Sequence, residues 1–413
     1  MKKLNKLVVA MAVVGMVSPL AAQATDGMFS PGYGVDANGM GGAATAMSED
    51  AFGGANNPAS MAFVGNQLDL GVYLFSPNRQ ASTGSDSQNS DSNYFLIPEI
   101  GYNHMVNDNL AVGVSVYGNG GMNTDYAVMP GSGGLNMLKG TGNLGLNLEQ
   151  LIIAPTLAYK INANNSIGVA PLIGYERFSA QGLQSFQQFS QTPGAVTNNG
   201  TNSAYGTGLR LGYMGKITPN LSIGASYSTK ISFDSLPGYA GLLAGGGNLD
   251  LPENYSLGVA YKVMPALTLA ADYQVINYSG VSSIGNQESN SLSPGGPALG
   301  SAQGSGFGWQ DVGVVKLGAE YQYNDRWILR AGYNHTQDPV TGSNVTFNII
   351  APGVVMDHFT MGASYLTATG GVWNVSYDHA YSNSVSGPFA FNPSNTAAIS
   401  MYEDTLGVSY AWK

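Results

Sequence analysis

The sequence predicts an all-β fold: a 14-stranded antiparallel transmembrane β-barrel with a small N-terminal plug, or hatch, of short helices in its lumen. Three observations predict it. Only 10% of residues are charged while mean hydropathy is -0.01, whereas a soluble domain carries about 25% charged residues and a helical membrane protein needs apolar runs of about 20 residues, of which none follows residue 20. Strand-length runs of alternating polarity fill the chain from Asn66 onward. The segments between them alternate short and long, as in barrels with tight turns at one mouth and loops at the other.

Taken in order, residues 1–24 read as a signal peptide, with Lys2, Lys3 and Lys6 before an apolar core at 7–17 and Ala22-Gln23-Ala24 as the cleavage site. The chain after cleavage begins at Thr25 with 12 basic against 25 acidic residues, which argues against a nucleic-acid partner. There is no cysteine and there are four scattered histidines, so neither disulfides nor a metal site is expected. Residues 25–65 have no period-2 alternation and read as the hatch. Ala43–Met47 is expected to form one short helix. Asn57 capping Pro58 at the first helical position opens another through Met61.

Residues 66–413 read as the barrel. The runs are 66–75, 93–104, 109–117, 149–160, 165–178, 204–216, 220–231, 253–263, 266–277, 309–323, 326–336, 356–366, 372–381 and 403–412. Leu257, Val259 and Tyr261 alternate with Ser256, Gly258 and Ala260; Trp327, Leu329, Ala331 and Tyr333 alternate with Ile328, Arg330 and Gly332. Apolar residues on one face meet lipid, and polar or small ones face inward. Short connections centre on Asn107-Asp108, Ala163-Asn164, Thr218-Pro219, Met264-Pro265, Asn324-Asp325 and Thr369-Gly370; long ones cover 76–92, 118–148, 179–203, 232–252, 278–308, 337–355 and 382–402. Each even run carries a tyrosine near its short-turn end (Tyr102, Tyr159, Tyr213, Tyr261, Tyr321, Tyr365, Tyr410) and each odd run one near its long-loop end (Tyr73, Tyr117, Tyr175, Tyr227, Tyr273, Tyr333, Tyr377). Two tyrosine belts mark two membrane interfaces, with Tyr73 and Tyr117 turned inward by alternation. Leu406, Val408, Tyr410 and Trp412 alternate to the end, although the last residue is Lys413 rather than the aromatic that barrel assembly usually reads.

One stretch is organised differently: Gly32-Tyr33-Gly34, Met40-Gly41-Gly42-Ala43, Asp50-Ala51 and Asn57-Pro58-Ala59, in that order. With Tyr117-Gly118-Asn119-Gly120-Gly121-Met122-Asn123-Thr124-Asp125-Tyr126 and Tyr175-Glu176-Arg177-Phe178, it resembles the FadL/TodX family of outer-membrane transporters for hydrophobic compounds. The resemblance implies a 14-stranded barrel, a hatch, and exit of ligand sideways into the membrane. It also implies an inward bend near the third strand that opens the wall at Gly118, Gly120 and Gly121, facing Asn57-Pro58-Ala59. It makes Arg177 a candidate near the ligand, whereas alternation through Ile173 and Tyr175 points it outward; a bulge would reconcile the two.

Transport of an apolar compound needs capture, an internal site and a dry exit. For capture, Leu183, Phe186 and Phe189 lie at i, i+3 and i+6 in one long loop, and Leu236, Tyr239, Leu242 and Leu243 cluster in the next. They form either an exposed apolar surface or a lid in which the loops pack on each other. For the internal site, alternation turns Phe95, Ile97, Ile152, Leu172, Ile276 and Ile328 inward, toward a ligand or the hatch. Arg210, Lys230, Lys316 and Arg330 also point inward, with Asp69, Glu99, Asp272, Glu320 and Asp378. They hold a carboxylate head group or tie barrel to hatch. The glycines at 118–121 weaken strand pairing or simply begin a loop.

The leading expectation is passive, ligand-gated uptake across a bacterial outer membrane by a monomer. Its partners are a hydrophobic ligand, outer-membrane lipid and lipopolysaccharide, and the barrel-assembly machinery. No cofactor and no enzymatic activity are expected, since His104, His335, His358 and His379 lie on different strands without a nucleophile beside them. A non-specific porin and a surface adhesin are the alternatives; the hatch and the apolar inward residues argue against the first, and the hatch is superfluous to the second.

Overall fold

The structure, a computed structural model, describes residues 26–413; the expected signal peptide lies outside the described residues. Fourteen strands form one antiparallel sheet. They are β1 (Gln67–Thr83), β2 (Phe95–Met105), β3 (Leu110–Tyr126), β4 (Leu144–Asn162), β5 (Asn165–Gln181), β6 (Asn202–Thr218), β7 (Leu221–Ser228), β8 (Asn254–Met264), β9 (Leu267–Ile276), β10 (Val312–Gln322), β11 (Trp327–Thr336), β12 (Asp357–Leu366), β13 (Val372–Phe389) and β14 (Asn392–Trp412). Each pairs with the next in sequence, and β14 closes on β1 with Leu68 opposite Trp412. Closure removes the sheet edges that a bilayer would not tolerate. Short strands at Asp86–Asn89 and Ser232–Phe233 fold onto β1 and β6.

The alternation works as expected. Leu257, Val259, Tyr261, Trp327, Leu329 and Tyr333 are exposed on the outer face, while Ser256, Ala260 and Arg330 are buried inside. The boundaries differ in one respect. Several segments expected as long loops are partly strand, three of them extensively: β1 continues to Thr83, β3 to Tyr126, and β13 and β14 continue to meet near Phe389 and Asn392. Above the lipid, both faces of a strand meet water or loops. The hydrogen-bonded ladder continues there while the apolar stripe that reveals it ends.

The hatch fills the short-turn half of the lumen. Its helices are Val35–Gly39, Gly53–Asn56 and Met61–Val64, with a 3-10 turn at Pro58–Ser60. The Asn57 cap forms as expected, its Oδ1 accepting from Ala59 N at 3.1 Å. The expected helix at Ala43–Met47 does not form. Gly41 and Gly42 take φ of 65° and 83°, and Asp272 of β9 captures the N–H groups of Ala44 (2.9 Å) and Thr45 (2.8 Å) that a first turn would leave free.

The hatch backbone sits against the wall at three pairs of glycines directly opposite each other on adjacent strands: Gly168 with Gly212, Gly224 with Gly258, and Gly318 with Gly332. They receive Asn57–Ala59, Thr45–Ala46 and Met40–Gly41 respectively; a Cβ at Gly168, Gly224, Gly318 or Gly332 would collide with this backbone, and one at Gly212 or Gly258 with side chains of Asn57 and Pro58 or of Thr45 and Asp272. The long-loop half is filled instead by an apolar core. Leu183, Phe186, Leu236, Tyr239, Trp309 and Phe347 from the loops pack there with Met28 and Phe29 of the hatch and Ile152, Leu172 and Phe178 of the wall.

Candidate functional site: a window in the wall and the arm behind it

The site begins with the glycines of β3. Gly120 adopts φ 72°, a value that L side chains rarely take, and the β3–β4 register slips between Asn119 and Met122. This bulge turns the upper half of β3 away from β2. The β2–β3 ladder runs from Met105–Ala111 to Ile100–Val116 and stops, yet both strands go on. β2 remains paired as far as Phe95, to β1 only, and β3 to Tyr126, to β4 only. The chains rejoin where Asp91 N donates to Asp125 O at 2.8 Å. Between those points β2 and β3 are not hydrogen-bonded to each other, a gap in the ladder that we term the window.

An arm of the hatch, residues 26–35, closes the window from inside. Gly120 N donates to Met28 O at 2.9 Å. The Tyr33 ring packs on Tyr117 with centroids 4.2 Å apart, and its hydroxyl donates to Asn119 Oδ1 at 2.5 Å. On the other rim Gly34 N donates to Glu99 Oε2 at 3.2 Å, and Val35 packs with Tyr73, Phe75, Ile97 and Phe95. Burial raises the Tyr33 phenol well above its ordinary range, so it stays a neutral donor. The start of the arm is held by a loop: Tyr278 Oη accepts from Met28 N at 2.8 Å and donates to Asp26 O at 2.5 Å. The arm thus touches both the loops and the window.

Behind the arm lies a small cavity of about 30 Å³ bordered by Phe29, Tyr33, Gln274, Arg210 and Lys316. Lys316 is engaged by hatch groups, Pro31 O at 2.5 Å and Asp26 Oδ2 at 3.6 Å. Arg210 is buried and bonds to Ser228 Oγ (2.6 Å), to the Ala55 carbonyl and to Tyr117 Oη (3.3 Å). No carboxylate lies within ion-pair distance of it among the described residues. Arg330 contacts Asp36 of the hatch at 3.1 Å and Glu320 at 2.8 Å, and Lys230 contacts Asp250 at 2.9 Å. A second cavity, of about 470 Å³, opens at the long-loop end between Ser92, Thr124, Leu146, Ala180, Gln181 and Tyr239.

The predicted residues divide accordingly. Gly118, Gly120 and Gly121 lie on the window rim. Asn57-Pro58-Ala59 rests on Gly168 and Gly212 of β5 and β6, and the arm covers the window instead; Pro58 and Ala59 have no side chain that could reach across the lumen. Phe95 and Ile97 pack on Val35 of the hatch, while Ile152 and Leu172 belong to the upper apolar core. Leu183, Phe186, Leu236 and Leu242 are buried rather than presented to solvent. Phe186 meets Phe347 and Phe391 edge-on at 5.0 Å each, and Phe189 packs on Phe391. These loops form a lid, and the period of three in Leu183, Phe186 and Phe189 is that of the 3-10 turn at Gln184–Phe189. Arg177 lies on the outer face. The β4–β5 register is unbroken around it, and it pairs with Glu149 at 3.2 Å. Lys316 and Arg330 bond to the hatch. Met28, Tyr33 and Tyr278 were not legible as site residues, although the Gly32-Tyr33-Gly34 motif marked the place.

The family profile for outer membrane protein transport proteins (OMPP1/FadL/TodX) matches residues 21–408. The chain belongs to this family. The structure of the Pseudomonas putida toluene transporter TodX superimposes with a TM-score of 0.70 at 20% identity, covering 94% of this chain and 99% of that one. A Pseudomonas aeruginosa FadL homologue gives 0.71 at 16%, covering 94% and 99%. The Ralstonia pickettii toluene transporter TbuX gives 0.67 at 18%, covering 93% and 98%. No curated protein sequence matches the chain. Family membership places the barrel in the outer membrane, and the family is one of transport proteins rather than enzymes.

Proposed function

We propose that this family member takes up hydrophobic small molecules passively. They enter at the cavity beside Tyr239, bind behind the arm, displace it, and leave sideways through the β2–β3 window into the bilayer. The observation that carries this reading is a gap in the β2–β3 ladder with a non-covalent arm lying behind it. A general porin has no use for such a gap, because a polar solute gains nothing by entering lipid, whereas an apolar one avoids water by doing so. The toluene transporters TodX and TbuX, similar in fold, support an apolar cargo. The test uses the absence of cysteine. Asn119→Cys carrying a bulky maleimide should abolish labelled-toluene uptake by cells lacking their own transporter, while the unlabelled variant transports. Uptake undiminished by the maleimide would rule out the lateral exit.

Arg210 favours a carboxylate-bearing cargo such as a long-chain fatty acid over a plain hydrocarbon. A buried guanidinium bonded to neutral acceptors keeps its charge uncompensated, and a ligand carboxylate would pair with it through hydrogen bonds to a charged group of about 1.5–3 kcal/mol. Arg210→Met should therefore lower oleate uptake about tenfold or more and leave toluene uptake within twofold. An equal loss of both would assign Arg210 to structure alone.

A further inference from the structure

Arg79 bridges the upper rim of the window. It points inward from β1, and its guanidinium donates to the carbonyls of Asn123 on β3 and Ser92 just before β2, lying against the Phe95 ring at 5.9 Å. These two segments are the ones whose backbone pairing is lost. The side chain thus takes the place of missing strand-to-strand bonds. Among the described residues its Nε has no hydrogen-bond partner.

Nearby is a group with the opposite deficiency. Glu403 of β14 is buried, and neither of its carboxylate oxygens has a hydrogen-bond partner among the described residues. Arg79 lies directly opposite Met401, so Glu403 is its diagonal neighbour on the same inner face, at a spacing that a long side chain reaches. His358 also interacts with Glu403, and among the described residues its Nε2 has no partner; its ring is fixed by Asp378 at Nδ1 (3.1 Å), whereas Arg79 has a long flexible stem.

Resting on the lateral-exit reading, we propose that Arg79 is a two-position strut. In one seat it ties Ser92 to Asn123 and keeps the window narrow; in the other it pairs with Glu403 and lets the rims separate as cargo passes. The closed seat gives neutral carbonyl acceptors, the open one a carboxylate. The exchange needs no energy source beyond the cargo displacing the guanidinium from its place over Phe95.

The two groups should then act in opposite directions on one quantity. Initial toluene uptake is measured in cells lacking their own transporter, with the heat-dependent gel shift of the barrel as the check on folding. Arg79→Met removes the strut and should raise the rate at least threefold. Glu403→Gln removes the charged second seat, holds the strut closed, and should lower the rate at least threefold. The double variant should behave as Arg79→Met, since without the strut its second seat is irrelevant. A structural role alone would lower uptake in both single variants, and that result overturns the proposal, as does wild-type uptake in Glu403→Gln. If blocked Asn119→Cys still transports, the lateral exit fails and the strut with it. If the block works while both single variants match wild type, the exit stands and the strut fails.

Discussion

Replacing Arg330 with methionine is expected to make the closed barrel conduct ions. Arg330 is almost fully buried and lies at 3.1 Å from Asp36, 2.8 Å from Glu320 and 4.0 Å from Glu49. Asp36 is in the hatch helix Val35–Gly39, which follows directly on Tyr33 and Gly34 of the arm. Methionine fills a similar volume but leaves these carboxylates without their cation. Breaking a buried pair by removing one partner costs about 3–5 kcal/mol, comparable to the whole stability of a small domain. The barrel has its own closed ladder and survives; the hatch, held by scattered contacts, is the part that gives way. Planar bilayers should show steady conductance for the variant and near silence for the parent chain. Adding Asp36→Asn should restore part of the closure, because one buried charge disappears with its partner. A silent Arg330→Met channel would mean that the hatch is held without this ion cluster, by the glycine seats and its other bonds to the wall.

The sequence reveals this molecule where lipid imposes a pattern. Lipid outside and hatch inside force a period of two onto every strand, so the 14 strands, the alternation of turns and loops, and the outward Tyr261 and inward Arg330 were all readable. Above the bilayer that constraint ends, which hid the outer halves of β1, β3, β13 and β14. The loop phenylalanines were legible as a cluster but not in their direction, since Phe186 is buried by Phe347 and Phe391, more than a hundred residues away. The arm had least to show. Met28 bonds to Tyr278, 250 residues distant, and no local period encodes such a partner. Arg177 was left open between two readings: its own alternation pointed outward, where the structure places it, and the family likeness pointed inward.

The glycine seats yield the most selective expectation, because barrel and hatch should respond to one substitution in opposite ways. Gly332→Val puts a β-branched residue into the middle of β11, where such residues favour the strand. The barrel's heat-dependent gel shift should therefore be kept or move upward. The added Cβ, however, falls on Gly41 N and the Met40 carbonyl carbon. That contact is backbone against backbone and cannot be relieved by a rotamer change. Thr360 Oγ1, which accepts from Gly41 N at 2.8 Å, also loses its partner as the segment lifts. Ala43, two residues on and 1% exposed, should come within reach of reagents entering from the short-turn mouth. A single Ala43→Cys in the cysteine-free chain should thus label with maleimide at least tenfold faster when Gly332 is valine. Gly313→Val is the control: its Cβ would meet only the end of the Tyr273 side chain, so labelling should stay at the parent rate. Equal labelling with and without Gly332→Val would show that the hatch does not depend on this seat. Faster labelling together with faster toluene entry would show that the wall's missing side chains are what keep the gate shut.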